Sequence, residues 1–176
     1  MNANNEHKTV TSGMGGLQET PWQPSAIIDL IRAAPAGCFD SALLAYSWNL
    51  FSQDGWPVLE ECARHNIRVH VAGIWSGLHH TNAGGAGVPE AALREGQARM
   101  AGWAALASEH GCAIEAVAVA FAALPRVVEM VVIGMKTAGE VAANLAAAAG
   151  AGSVPSAIWR EAQERGLLPA HLPLPH

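Results

Sequence analysis

The sequence predicts an α/β fold built on parallel strands. Short β-branched runs alternate about four times with longer helix-period segments, and glycines end the strand-like runs. Half of the residues are apolar (51%) and only 14% are charged, as a packed α/β domain requires. A chain of 176 residues with this composition fits one domain with a sizeable core, and disorder is excluded over most of its length.

Residues 1–8 read as a disordered polar lead-in without the apolar centre of a signal peptide. Thr9-Val10-Thr11-Ser12 is a short strand, and the glycines from Gly13 to Gly16 end it. Pro21 and Pro24 bracket a helix start with Ser25 as N-cap, and Ile27, Ile28, Leu30 and Ile31 give its apolar face up to Ala34. Residues 38–45 read as a buried strand and 55–66 as a helix turning Val58, Leu59 and Cys62 inward. Residues 67–72 form the next strand, closed by Gly73. A glycine-rich loop over 76–87 suits a ligand-covering segment. A long helix then runs over 89–110, from Pro89 in its first turn to a stop at Gly111. A nearly all-apolar helix covers 113–124 and ends at Pro125. Residues 129–133 are the last strand, 137–149 a helix, and 155–165 a final helix. The structured domain is expected over 9–168, with 169–176 an irregular tail. A complete parallel (βα)₈ barrel of the TIM type needs about 250 residues, so four βα units are about half of one.

Several function classes drop out early. A net charge of −5 gives no support for nucleic acid or an anionic membrane as partner. The apolar run 113–124 is too short for a membrane span and is interrupted by Glu115 and Pro125. Cys38, Cys62 and Cys112 are odd in number and lack CxxC spacing, which reads as reduced thiols of a cytoplasmic protein. His79 and His80 have no carboxylate or cysteine at ligand spacing, so no metal is expected, and His70 reads as a satisfied core histidine. The alanine-rich face over 142–149 reads as helix packing.

The most informative stretch runs from Val131 to Leu145. A β-branched run stops at Gly134, Lys136 and Thr137 follow, and a helix opens that carries Glu140 and Asn144 on one face. A strand end, free amides and a lysine at a helix N-terminus suit a phosphate. A strand, a glycine and a helix are also an ordinary connection.

Four segments together resemble the C-terminal half of an aldo-keto reductase. Phe39-Asp40-Ser41-Ala42-Leu43-Leu44-Ala45-Tyr46-Ser47-Trp48-Asn49-Leu50 resembles the sixth strand of the sugar-oxidising members. Ser76-Gly77-Leu78 resembles the turn after strand seven, and Ala118-Val119-Ala120-Phe121-Ala122-Ala123-Leu124 the helix before strand eight. The Gly134–Leu145 motif resembles the last strand and helix, which grip the adenosine end of NAD(P). Within that family the segments resemble the D-threo-aldose (L-fucose) dehydrogenase type, and also the pyridoxal and L-galactose dehydrogenases. The resemblance implies a partial TIM-type barrel, NADP or NAD as cofactor, and hydride transfer to or from an aldose or aldehyde.

It also implies what each residue would do. Lys136 would pair with a 2′-phosphate or pyrophosphate beside Gly134, Thr137 would add a hydroxyl, and Glu140 and Asn144 would hydrogen-bond adenine edges. Ala143 stands where many relatives have a polar residue. Ser76, Gly77 and Leu78 would offer amides to the pyrophosphate, in a segment one residue shorter than the subgroup pattern. Trp48 and Trp75 would line the nicotinamide or substrate pocket, or else belong to core or rim. Gln18 would replace the family's carboxamide-holding asparagine after a one-residue shift. The family's catalytic Asp, Tyr, Lys and His lie in the first half of the barrel and have no counterpart here. Tyr46 is the only tyrosine and sits on the sixth-strand segment, so it is not the proton donor.

Two functional readings follow. In one, the chain is the cofactor-binding half of an oxidoreductase and needs a partner half-barrel for activity. In the other, it is a non-catalytic half-barrel that binds nucleotide or self-associates as a homodimer, because open parallel strands leave two edges to cover.

Overall fold

The computed structural model describes residues 9–12, 24–78 and 90–174. The strands β1 (Thr9–Ser12), β2 (Ser41–Ala45), β3 (Arg68–Ala72) and β4 (Val128–Val132) form one four-stranded sheet in the order β1-β2-β3-β4. Every neighbouring pair is parallel. The helices among the described residues are α1 (Pro24–Ala33), α2 (Trp56–Arg64), α3 (Glu90–Glu109), α4 (Ile114–Ala122), α5 (Ala138–Ala151) and α6 (Ala157–Glu164). The expected α/β architecture with parallel strands is the one the chain adopts. Parallel neighbours in chain order need connections that cross back over the sheet; α1 to α4 lie within those connections, and α5 and α6 follow β4.

Strand alternation decides which face is covered. Ala42 and Leu44 on β2, and Val69 and Val71 on β3, are at most 2% exposed and join one core with Ile31, Val58, Leu59, Cys62, Trp103, Leu106, Phe121 and Ile158. The helices therefore bury one face of the sheet. On the other face Leu43, Ala45, His70 and Ala72 are half-buried, while Met130 and Val132 are exposed. An all-parallel sheet is ordinarily covered on both faces, so a half-bare one is unusual.

Between β3 and β4 the register slips. Val69 faces Val128, but His70 faces Met130, which leaves Glu129 as an extra residue. Its carboxylate meets Arg68 Nη1 at 2.9 Å and His70 Nε2 at 3.3 Å. These two partners hold the Glu129 carboxyl below the usual carboxylate range, Arg68 most strongly. Alternating with the buried Val69 and Val71, His70 belongs to the half-bare face and not to the core expected for it.

Most expected elements occur, shortened at their ends. The strand expected over 38–45 starts only at Ser41, because Gly37 takes a left-handed φ of 73° and the chain is still turning at Cys38. Ser25 lies inside α1 instead of capping it. Pro89 lies outside the described residues. The tail expected to be irregular has no helix or strand over 169–174, the part described, yet it is anchored: Gln163 Nε2 donates to Pro169 O and Leu172 O, and Leu172 is buried. The alanine face of α5 packs only in part. Ala147 is buried, and a Cβ on Gly150 would lie 3.0 Å from Ala116 Cβ. Leu145 stands 66% exposed.

Candidate functional site at the C-terminal strand ends

Parallel strands place their C-terminal ends on one edge, where the loops that bind ligands in such sheets are found. Three consecutive strands contribute here. Tyr46 follows β2, residues 73–78 follow β3, and residues 133–137 follow β4.

Tyr46 has a φ of 66°, a left-handed conformation rare for a residue with a side chain, and is 58% exposed. Its amide donates to Ala72 O (3.0 Å), which continues the β2–β3 pairing by one step. Its ring lies over Gly73, where an added Cβ would fall 2.5 Å from Cδ1. The conformation is held from below by Asn49, which is buried. Asn49 Nδ2 donates to Tyr46 O, while its Oδ1 accepts from the amides of Phe51 and Ser52. Arg99 and Trp103 on α3 fasten the same loop by donating to Phe51 O (3.0 Å) and Leu50 O (3.2 Å). An exposed aromatic ring on so braced a loop was not foreseen as a binding residue. The sequence shows a tyrosine at a strand end but not its backbone angle.

After β3 the chain closes a tight turn. Gly73 and Gly77 have φ of 69° and 83°, and a Cβ on Gly77 would collide with the Phe51 ring at 2.5 Å. The Ser76 amide donates to Gly73 O and the Leu78 amide to Trp75 O. Two of the three amides expected to face a pyrophosphate are therefore engaged within the turn. Leu78 is buried at 4% exposure.

After β4, Gly134 is exposed, and a Cβ there would meet nothing within 4 Å. Lys136 is exposed and forms no ion pair among the described residues. Thr137 is the N-cap of α5, its Oγ1 accepting from the Glu140 amide (3.2 Å). Glu140 reaches back to accept from the Lys136 amide (2.6 Å). The pair is a form of capping box, in which a hydroxyl and a carboxylate satisfy amides that the helix leaves unpaired. The Thr-x-x-Glu spacing carried that signal, which the expectation of an adenine contact passed over. The Glu140 carboxylate thus lies where a phosphate would be drawn, so an anion there must displace it or approach from the Lys136 side.

Further along α5, Asn144 lines a groove of about 520 Å³ together with Trp75, Cys112, Ala116, Ala143 and Gly150. That volume falls within the range of small-molecule sites. Residues expected to meet the two ends of a dinucleotide, Trp75 and Asn144, here share one cleft. Trp48 does not join them. It is a core residue, 1% exposed, stacked on Phe121 at 4.8 Å and tilted against Trp56 at 5.6 Å. Gln18 and the His79-His80 pair lie outside the described residues.

The remaining chemistry is structural. Glu61, 3% exposed, accepts from Arg32 Nε and Nη2 at 2.9 Å each and from Arg64 Nη1 at 2.6 Å. These bonds, Arg32 foremost, outweigh burial and hold its carboxyl down at about 2. Burial pushes the Cys62 thiol up to about 11, which makes it a poor nucleophile. Among the described residues no cluster of three His, Cys, Asp or Glu could hold a metal ion, and no single helix is long and apolar enough to cross a membrane. No protein-family model matches the chain, and comparison with curated proteins gives no match.

Proposed function

We propose that the chain is the nicotinamide-dinucleotide-binding half of an aldo-keto-reductase-like (βα)₈ barrel. It would serve hydride transfer on an aldose or aldehyde only once a partner half-barrel supplies the proton-transfer residues. The observation that carries this reading is the gathering of Tyr46, residues 73–78 and the Gly134–Thr137 segment on one edge of a parallel sheet. The half-bare sheet face supports the half-barrel part of the reading, since in a closed barrel that face becomes the packed interior.

The residues fit such a cofactor in part. Lys136 would pair with the 2′-phosphate or pyrophosphate, Thr137 would donate its hydroxyl hydrogen, and Gly77 would let the backbone come close. Asn144 and Trp75 would hold the base in their shared groove, and the exposed Tyr46 ring is a flat platform for a second ring. The bound nicotinamide would give up or accept the hydride, according to the direction of the reaction, while this chain orients it and shields one side from water. A second reading, a non-catalytic half-barrel, draws on the Glu140 carboxylate at the α5 N-terminus, which competes with a phosphate.

Calorimetric titration of the purified chain with NADPH and NADH tests the proposal. Saturable binding, weakened about tenfold or more by Lys136→Ala, is the expected result, since a charge-assisted phosphate contact contributes about 1.5–3 kcal/mol. A folded chain that binds neither nucleotide would sink it.

A further inference from the structure

We infer that two copies of this chain close into one eight-stranded barrel, about a twofold axis running along the strands. The inference rests on the half-barrel reading above in its non-catalytic form, since the second copy takes the place of the partner half-barrel and brings no proton-transfer residues; it does not rest on cofactor binding.

Both outer edges of the sheet are unpaired among the described residues: β1 at one side, β4 at the other. Each is a row of amides and carbonyls ready to accept another strand. Five of the seven large apolar residues exposed among the described residues belong to β4 or the segment after it. Met130 and Val132 on β4, Met135 beyond it, and Val141 and Leu145 on α5 are 38–66% exposed. At roughly 80 Å² each they present on the order of 400 Å² of apolar surface, the size of patch that marks an interaction site. The exposed alanines of α5 and the inner sheet face would bring the contact toward the roughly 800 Å² per partner of a stable dimer.

A second copy suits both edges at once. Rotation about an axis along the strands sets β4 beside the β1 of the second copy, parallel in the same sense as every existing pair, and repeats the contact on the other side. The same rotation brings α5, last in one helical layer, beside α1, first in the other. There α1 offers Leu30, which is 50% exposed. Four strands from each copy make eight, the number whose interior side chains just fill the space. Leu43, Ala45, Ala72, Met130 and Val132 would form that interior. Arg68, Glu129 and His70 would enter it already paired with one another, so closure buries no unpaired charge.

Sedimentation equilibrium of the full chain without nucleotide tests this. The expected result is twice the chain mass across the micromolar range, with Leu30→Lys and Leu145→Lys each weakening association about tenfold or more. Both side chains are solvent-exposed in a single copy, so neither lysine threatens its folding; circular dichroism checks that. A folded monomer overturns the inference, as does a dimer sensitive to Leu145→Lys but not to Leu30→Lys, which would be an α5-to-α5 contact. A monomer that binds NADPH sinks the closed dimer alone, and a dimer that binds no nucleotide sinks the cofactor reading alone.

Discussion

Replacing Asn49 by alanine removes a side chain that touches neither the groove nor the exposed edge, yet should undo the loop that presents Tyr46. Three hydrogen bonds disappear together: Nδ2 to Tyr46 O at 2.9 Å, and the amides of Phe51 and Ser52 to Oδ1 at 2.9 and 3.0 Å. Asn49 is 1% exposed, so its partners are poorly placed to find water instead. At about 1 kcal/mol each, the expected loss is about 3 kcal/mol. For a chain of this size that lowers the melting temperature by about 6–12 °C. Urea unfolding followed by circular dichroism measures it, with an unchanged denaturant slope as the condition for reading the shift as stability. A loss below about 1 kcal/mol would mean that the loop is held by Arg99 and Trp103 alone.

Two further perturbations follow from the same structure. Gly73→Ala places a Cβ at a φ of 69° and against the Tyr46 ring, so it should cost about 1–2 kcal/mol for the backbone alone and displace the ring; unchanged stability together with an unchanged tyrosine environment by near-ultraviolet circular dichroism would refute this. Glu61 titrates at about 2 in the folded chain against 4.5 for the free group, so its contribution is complete above about pH 4.5 and fades as pH falls toward 2. Glu61→Gln should therefore flatten stability against pH in that window, and an unaltered acid limb in urea titrations would contradict it.

The sequence made the scaffold legible because strands and helices of a parallel sheet write their periods locally. Glycines at 73, 111 and 134 and prolines at 125 and 155 marked element ends within a few residues. Contacts between distant segments left weaker marks. Glu61 stands amid the buried Val58, Leu59 and Cys62, a position that signals a paired carboxylate, but its main partner Arg32 lies 29 residues away. His70 lies off the core because it alternates with the buried Val69 and Val71, and the bulge at Glu129 that gives it a carboxylate partner has no signal in the sequence. In the candidate site, the placement of Lys136 just before α5 and of Asn144 on it follows from the local strand–glycine–helix pattern. Tyr46 was passed over because a tyrosine was weighed only as a proton donor. Trp48 stood open between pocket and core because an exposed aromatic and a core aromatic look alike in sequence; the core reading is the one the fold adopts.

The central claim is that the C-terminal strand ends receive a nicotinamide dinucleotide. The most direct test is amide chemical-shift mapping of the folded chain on addition of NADPH. The account predicts shifts concentrated at Tyr46, Gly73–Leu78, Gly134–Thr137 and Asn144. Shifts centred on Arg68 and Arg126 at the opposite edge, or no shifts at all, would contradict it.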